Sequence, residues 1–175
     1  MLKHLLHGRV ASAAVAIATI TAFAAPALAA TAQSNFNVTA SVTNNCTITS
    51  TTLAFGAYDP VSANATVALD AAGSVDVACT KGAAPTIGLN AGNNSASASG
   101  TTRAMSNGAG DFLSYEIFQN GGRTTVWGNS GAGLLTTAPA PSKAARSFPT
   151  FGCIPAGQDA ASGAYTDTVT ATVNF

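Results

Sequence analysis

Ser34–Cys46 reads SNFNVTASVTNNC. Its positions part into two sets. Phe36, Val38, Ala40 and Val42 fall on one side, and Asn35, Asn37, Thr39, Ser41 and Thr43 on the other. Successive side chains of a β-strand point to opposite faces, so this period of two marks a strand with one apolar and one wet face. Such half-wet strands belong to antiparallel sheets. The far end repeats the pattern. In Tyr165–Phe175 (YTDTVTATVNF), Tyr165, Val169, Ala171, Val173 and Phe175 share one face, with Asp167 interrupting it. Thr166, Thr168, Thr170, Thr172 and Asn174 share the other.

Working inward, no helical periodicity is met. Cys46–Ser50 alternates weakly. Leu53–Gly56 is a short apolar run before a turn at Asp59–Pro60, and Thr66–Leu69 reads as a brief strand. Val75, Val77 and Cys79 share a face, as do Ile87 and Leu89, and again Leu113, Tyr115 and Ile117. Asn120-Gly121-Gly122 is a hairpin turn, with Thr124–Trp127 as its return strand. Ala145–Ile154 is a strand that Pro149 should bend or place at an edge. Ala91–Gly110 is small and polar. It is expected to be a mobile surface loop with at most one short edge strand near Arg103–Met105. Gly131–Ser142 is also loop-like. Short strands, frequent turns and half-wet faces predict one all-β domain, an antiparallel β-sandwich.

The first residues do not belong to that domain. Met1–Arg9 is short and basic, Val10–Ala25 is uncharged and apolar, and Ala27-Leu28-Ala29 offers small residues for cleavage. Met1–Ala29 is read as a secretory signal. The apolar stretch is Ala-rich and shorter than the ~20 residues a membrane-spanning helix needs. Lys3 and Arg9 leave with it, so five Lys+Arg remain against seven Asp+Glu, a net of −2. With no basic patch, nucleic acid is not an expected partner. Both histidines, His4 and His7, lie in the signal. Ser-His-Asp and Cys-His catalysis are therefore excluded from the exported chain, as are imidazole metal sites. The carboxylates are scattered singly, without calcium-loop spacing. No enzyme activity and no cofactor are expected.

Export puts Cys46, Cys79 and Cys153 in an oxidising compartment, where one disulfide is expected. Three pairings are possible. Cys46–Cys79 is favoured because both lie in strand-like segments near the start of the domain. Cys153 then reads as a small buried hydrophobe.

Alternation alone leaves two readings of Asn35–Thr43. It is either the first strand of its own sandwich, or a strand that leaves to complete the sheet of a neighbour. Asn45-Cys46-Thr47-Ile48, Leu53–Pro60 (LAFGAYDP), Val77-Ala78-Cys79, Tyr115–Phe118, Trp127-Gly128, Phe151–Gln158 (FGCIPAGQ) and Gly163–Asp167 through Val173-Asn174-Phe175 decide between them. In order and spacing they resemble the spore coat U family, which includes the archaic (Csu-type) chaperone–usher pilins. The likeness runs from about Phe36 to Phe175.

The resemblance implies an immunoglobulin-like sandwich that is incomplete and is completed by a donor strand from a neighbouring subunit. It also implies partners: a periplasmic chaperone, an outer-membrane usher, and copies of the chain or related pilin subunits. It maps the disulfide onto Cys46 and Cys79, and Cys153 departs from its pattern. On this reading residues 30–43 are the donor segment, with Phe36, Val38, Ala40 and Val42 as its inserting face. Residues 44–175 are the sandwich, with Val169, Ala171, Val173 and Phe175 on the strand that walls the acceptor groove. The expected product is a surface fimbria supporting adhesion and biofilm formation. The alternatives are a secreted coat-like structural protein and a monomeric binding module using the Ala91–Gly110 or Gly131–Ser142 loops.

Overall fold

The computed structural model describes residues 29–175. The expected signal lies outside them, apart from Ala29. The chain divides into two units between Ala40 and Ser41. In the described part of the first, residues 29–40 form no strand and are exposed.

The second unit is all-β, two antiparallel sheets built from eight strands. They are β1 (Cys46–Ser50), β2 (Leu69–Cys79), β3 (Thr86–Leu89), β4 (Arg103–Ser106), β5 (Phe112–Phe118), β6 (Leu135–Thr136), β7 (Arg146–Ile154) and β8 (Ala171–Asn174). The larger sheet runs β1-β2-β7-β5-β4 and the smaller β6-β3-β8. The predicted core faces are buried together: Val75, Val77 and Cys79 with Ile87, Leu89, Leu113, Tyr115, Ile117 and Trp127. The Trp127 indole N–H is buried yet satisfied, since it donates to the Ile87 carbonyl at 3.0 Å.

Several elements differ from the sequence reading. Thr66–Leu69 is not a separate strand; β2 begins at Leu69 and runs unbroken through Gly73 to Cys79. The return strand after the Asn120 turn shrinks to one bridge, Phe118 to Val126. The loop after Gly131 contains the two-residue β6. Phe175, expected to face the core, is 57% exposed.

Pro149 lies within a strand that has neighbours on both sides, and its register partner is Ser74. The N–H and C=O of Ser74 turn the other way, toward Thr51. In an antiparallel ladder the backbone groups of Pro149 then point away from β2. There β5 pairs only with Phe151–Cys153, so proline's missing N–H removes no ladder bond.

Cys46 and Cys79 face each other across β1 and β2 and form the disulfide, 33 residues apart. The bridge fixes the edge strand β1 to the core. Replacing both cysteines by alanine is expected to lower stability by ~3–4 kcal/mol, the loop-closure entropy of such a span. Urea unfolding of the double variant against the oxidised native chain checks this.

The third cysteine, Cys153, is buried and unpaired. Burial pushes its thiol up from the ordinary value, although the Arg123 guanidinium beside it pulls the other way.

Candidate functional site

Two strand edges lack partners among the described residues. One belongs to the larger sheet. β1 ends at Ser50, and Thr51 keeps one more ladder bond, from its N–H to Ser74 O. From Thr52 to Tyr58 the backbone makes no hydrogen bond among the described residues, although the chain continues to the Asp59 turn. The other is the outer edge of β8, which pairs on one side only, with β3. These edges approach at β1 and β8, and beyond Ser50 the gap between them is open.

The gap forms two clefts, about 410 Å³ and about 700 Å³. The first has Val75, Leu89, Tyr115 and Ile117 beneath it, with Thr51–Leu53 on one rim and Tyr165–Val169 on the other. The second continues along Leu53–Pro60, opposite Ala160–Tyr165, over Leu113 and Ile154. Leu53, Phe55, Met105 and Tyr165 belong to both, so the clefts are one groove with an apolar floor. An apolar floor between two unpaired strand edges is the surface that strand addition completes.

The motif residues build the ends of this groove. Tyr58, from LAFGAYDP, donates its hydroxyl proton to Pro155 O at 2.9 Å and accepts from the Gln158 N–H at 3.0 Å. The two sequence motifs therefore meet at one phenol. The Gln158 side-chain amide then serves β5 as a stand-in for backbone. Its Oε1 accepts from Ser114 N, and its Nε2 donates to Ser114 O, both at 2.8 Å.

Asp167, which breaks the apolar alternation, is fixed at the rim. Its carboxylate accepts from Tyr115 Oη at 2.7 Å, from Asn93 N at 2.9 Å and from Asn94 Nδ2 at 3.1 Å. Gly92 must be glycine here. It has φ +76°, and a Cβ would lie 2.0 Å from Asp167 Oδ2. Burial first, and then the bond to Asp167, push the Tyr115 phenol well above its ordinary value, so it remains a proton donor.

The predicted site residues fall into two groups. Val169 and Ala171 line the groove, and Val173 packs against the core beside them. Phe175 is at the exposed chain end. Phe36, Val38 and Val42 are 83–85% exposed, Ala40 is exposed, and none belongs to a strand.

Sequence reasoning missed the Thr52–Tyr58 rim, whose apolar run carries no sign that its backbone is unpaired. It also missed the role of Arg103, which the sequence placed at an edge. Arg103 is 1% exposed and binds Leu89 O, Asn90 O, Trp127 O and the Glu116 carboxylate. The Ala91–Gly110 segment is tied down by Asp167 and Glu116, from Asn93 to Thr102.

The likeness to known proteins agrees with this architecture. Protein U of Myxococcus xanthus is 40% identical over 178 residues, covering 94% of this chain and 96% of that protein. A chain in the crystal structure of the CsuC–CsuE chaperone–tip adhesion subunit pre-assembly complex is similar at 27% identity and a TM-score of 0.55. That complex comes from the archaic chaperone–usher Csu pili of Acinetobacter baumannii. The match covers 77% of this chain but only 40% of the solved one. Residues 32–172 match the Spore Coat Protein U domain, and the chain belongs to that family.

Proposed function

We propose that the chain is a structural, non-enzymatic subunit of a surface fimbria assembled by donor-strand exchange. The observation that carries this reading is the open groove between Thr52–Tyr58 and the Ala160–Ala171 stretch that leads into β8. An extended strand of nine residues spans ~30 Å at ~3.3 Å per residue. Asn35–Thr43, nine residues, is long enough to run the seven residues of the unpaired rim Thr52–Tyr58 with one to spare at each end.

The segment 30–43 of one subunit enters the groove of the next, with Phe36, Val38, Ala40 and Val42 pointing at the floor. The backbone of the donor pairs with the two free edges. Val169 and Ala171 wall the acceptor, and Val173 packs behind them against the core. Before assembly, a periplasmic chaperone shields the groove and an outer-membrane usher takes delivery of the subunit. The pre-assembly complex of the Csu pili supports that route. The finished fibre lies at the cell surface, where it serves adhesion and biofilm formation.

A second reading is favoured by the near-full-length match to Protein U: a secreted coat protein of the same fold. Both readings use the groove, and they differ in whether a chaperone and usher deliver it.

The test is capping of fibre growth. The mature chain, residues 30–175, is expected to form multimers. Excess free peptide of residues 34–43 should shorten them in proportion to its concentration, read by size-exclusion chromatography with light scattering. A stable monomer holding its own residues 35–43 in its sheet overturns the proposal.

A further inference from the structure

The acceptor groove is partly occupied by the chain's own rim. Thr52–Tyr58 is anchored at both ends, by Thr51 bonded to Ser74 and by the Tyr58 hydroxyl on Pro155. Its middle has no backbone partner among the described residues. Its hold on the domain is instead through side chains. Phe55 packs edge-on against Tyr115, with ring centroids 5.9 Å apart. Leu53 and Phe55 both press into a notch on β7. A Cβ on Gly152 would lie 2.7 Å from Leu53 Cδ2 and 2.7 Å from Phe55 Cζ. Gly152 is buried inside a regular strand, where glycine is ordinarily a poor choice. Close approach of other atoms explains its presence, and the approaching atoms belong to this segment.

We propose that Thr52–Tyr58 is a strap, latched over Gly152 by Leu53 and Phe55, that gates entry of the inserting strand. Leu53 and Phe55 line both clefts, so while latched they set how much room the inward side chains of a donor find there. Lifting the strap clears the floor and presents its unpaired N–H and C=O groups to the newcomer, which replaces side-chain contacts by a ladder. The latch also shields the floor of a subunit that has no partner. Edge strands left open in this way otherwise aggregate. The inference rests on the strand-insertion reading and adds the element that regulates it.

The test follows uptake of a fluorescently labelled peptide of residues 34–43. The acceptor is the mature chain, kept from donating to itself by Phe36→Asp. Gly152→Ala introduces the clashing methyl and Leu53→Ala removes half of the latch. Each is expected to speed peptide uptake by about tenfold, since crowding or emptying a packed site weakens it on that scale. Leu53→Ala decides the matter if Gly152→Ala does not fold. Equal uptake rates in all three acceptors overturn the strap while leaving strand insertion standing. Failure of all three acceptors to take up any peptide overturns both.

Discussion

Phe36→Asp is expected to abolish assembly between subunits while the protein still folds and is exported. Phe36 is 85% exposed and belongs to no strand, so the substitution removes no packing from the subunit that carries it. Under the proposed strand insertion, its effect falls on the acceptor next in line. Burying one Phe, two Val and an Ala is worth roughly 5–8 kcal/mol at ~1.5–3 kcal/mol per large side chain. Ordering a free tail opposes this by ~1–2 kcal/mol per residue, partly offset by the new ladder bonds. Against that balance, the loss of the Phe contribution alone is decisive. A carboxylate driven onto the floor of Val75, Leu89 and Ile117 would also lose its water without gaining a partner, at a cost of several kcal/mol.

A loss of ~3 kcal/mol already means about a 100-fold weaker junction. Multimers should therefore disappear from size-exclusion profiles, leaving a monomer with native circular dichroism. Asn37→Asp, one position along on the wet face, is expected to assemble normally. Fibres that form with Asp at 36 would show that this face does not insert.

How much of this was readable beforehand depends on what each feature rests upon. Alternation reports one-sided burial, and it found Val75, Val77, Leu113, Tyr115 and Ile117 because those side chains face a single core. Of the alternating Tyr165–Phe175 stretch, only Ala171–Asn174 is paired as a strand, and Phe175 is exposed. The vacancy beside that strand was not readable from alternation. A strand pairing at home and a strand pairing abroad need the same amphipathic residues, and only the family resemblance separated them.

Pairing partners were equally hidden. Gly73 fell in neither of the short strands read from the sequence, yet β2 runs through it. Its flanks are held by β7 along the whole length, and a Cβ there would lie 2.9 Å from Thr150 Oγ1. Tyr58 and Gln158 stood out only as members of two motifs, and their roles depend on a contact across 100 positions of sequence. Arg103 gave no signal at all, because composition treats a lone arginine in a small polar stretch as solvated.

That arginine carries the largest stability prediction. Arg103→Met is expected to destabilise the domain by ~3–5 kcal/mol, the cost of removing one member of a buried ion pair. The guanidinium is 1% exposed and the Glu116 side chain 7%. Truncation strands the Glu116 carboxylate, which keeps only Thr102 and the Ile117 N–H as donors. It also leaves the carbonyls of Leu89, Asn90 and Trp127 without the Arg103 donors. At about 2–4 °C per kcal/mol for a domain of this size, the melting temperature should fall by roughly 10 °C or more.

The double variant Arg103→Met, Glu116→Leu should recover part of the loss. With both charges gone no uncompensated carboxylate remains, and a buried pair exchanged for apolar residues is often close to neutral. A single variant that melts within a degree or two of the native chain would refute the clamp.

The functional consequence follows from what Arg103 holds. It sits on β4 of the larger sheet and grips the end of β3 in the smaller one. From there the Asn90 side chain accepts the Thr170 N–H at 2.8 Å. The wall of the groove, Val169 and Ala171, is thus positioned through Asn90 by a charge on the opposite sheet. Milder variants such as Arg103→Lys, which lose the fork but keep the charge, should therefore slow strand uptake at temperatures where the fold is still intact. Comparing peptide association with thermal unfolding in that variant separates a loosened groove from a loosened protein.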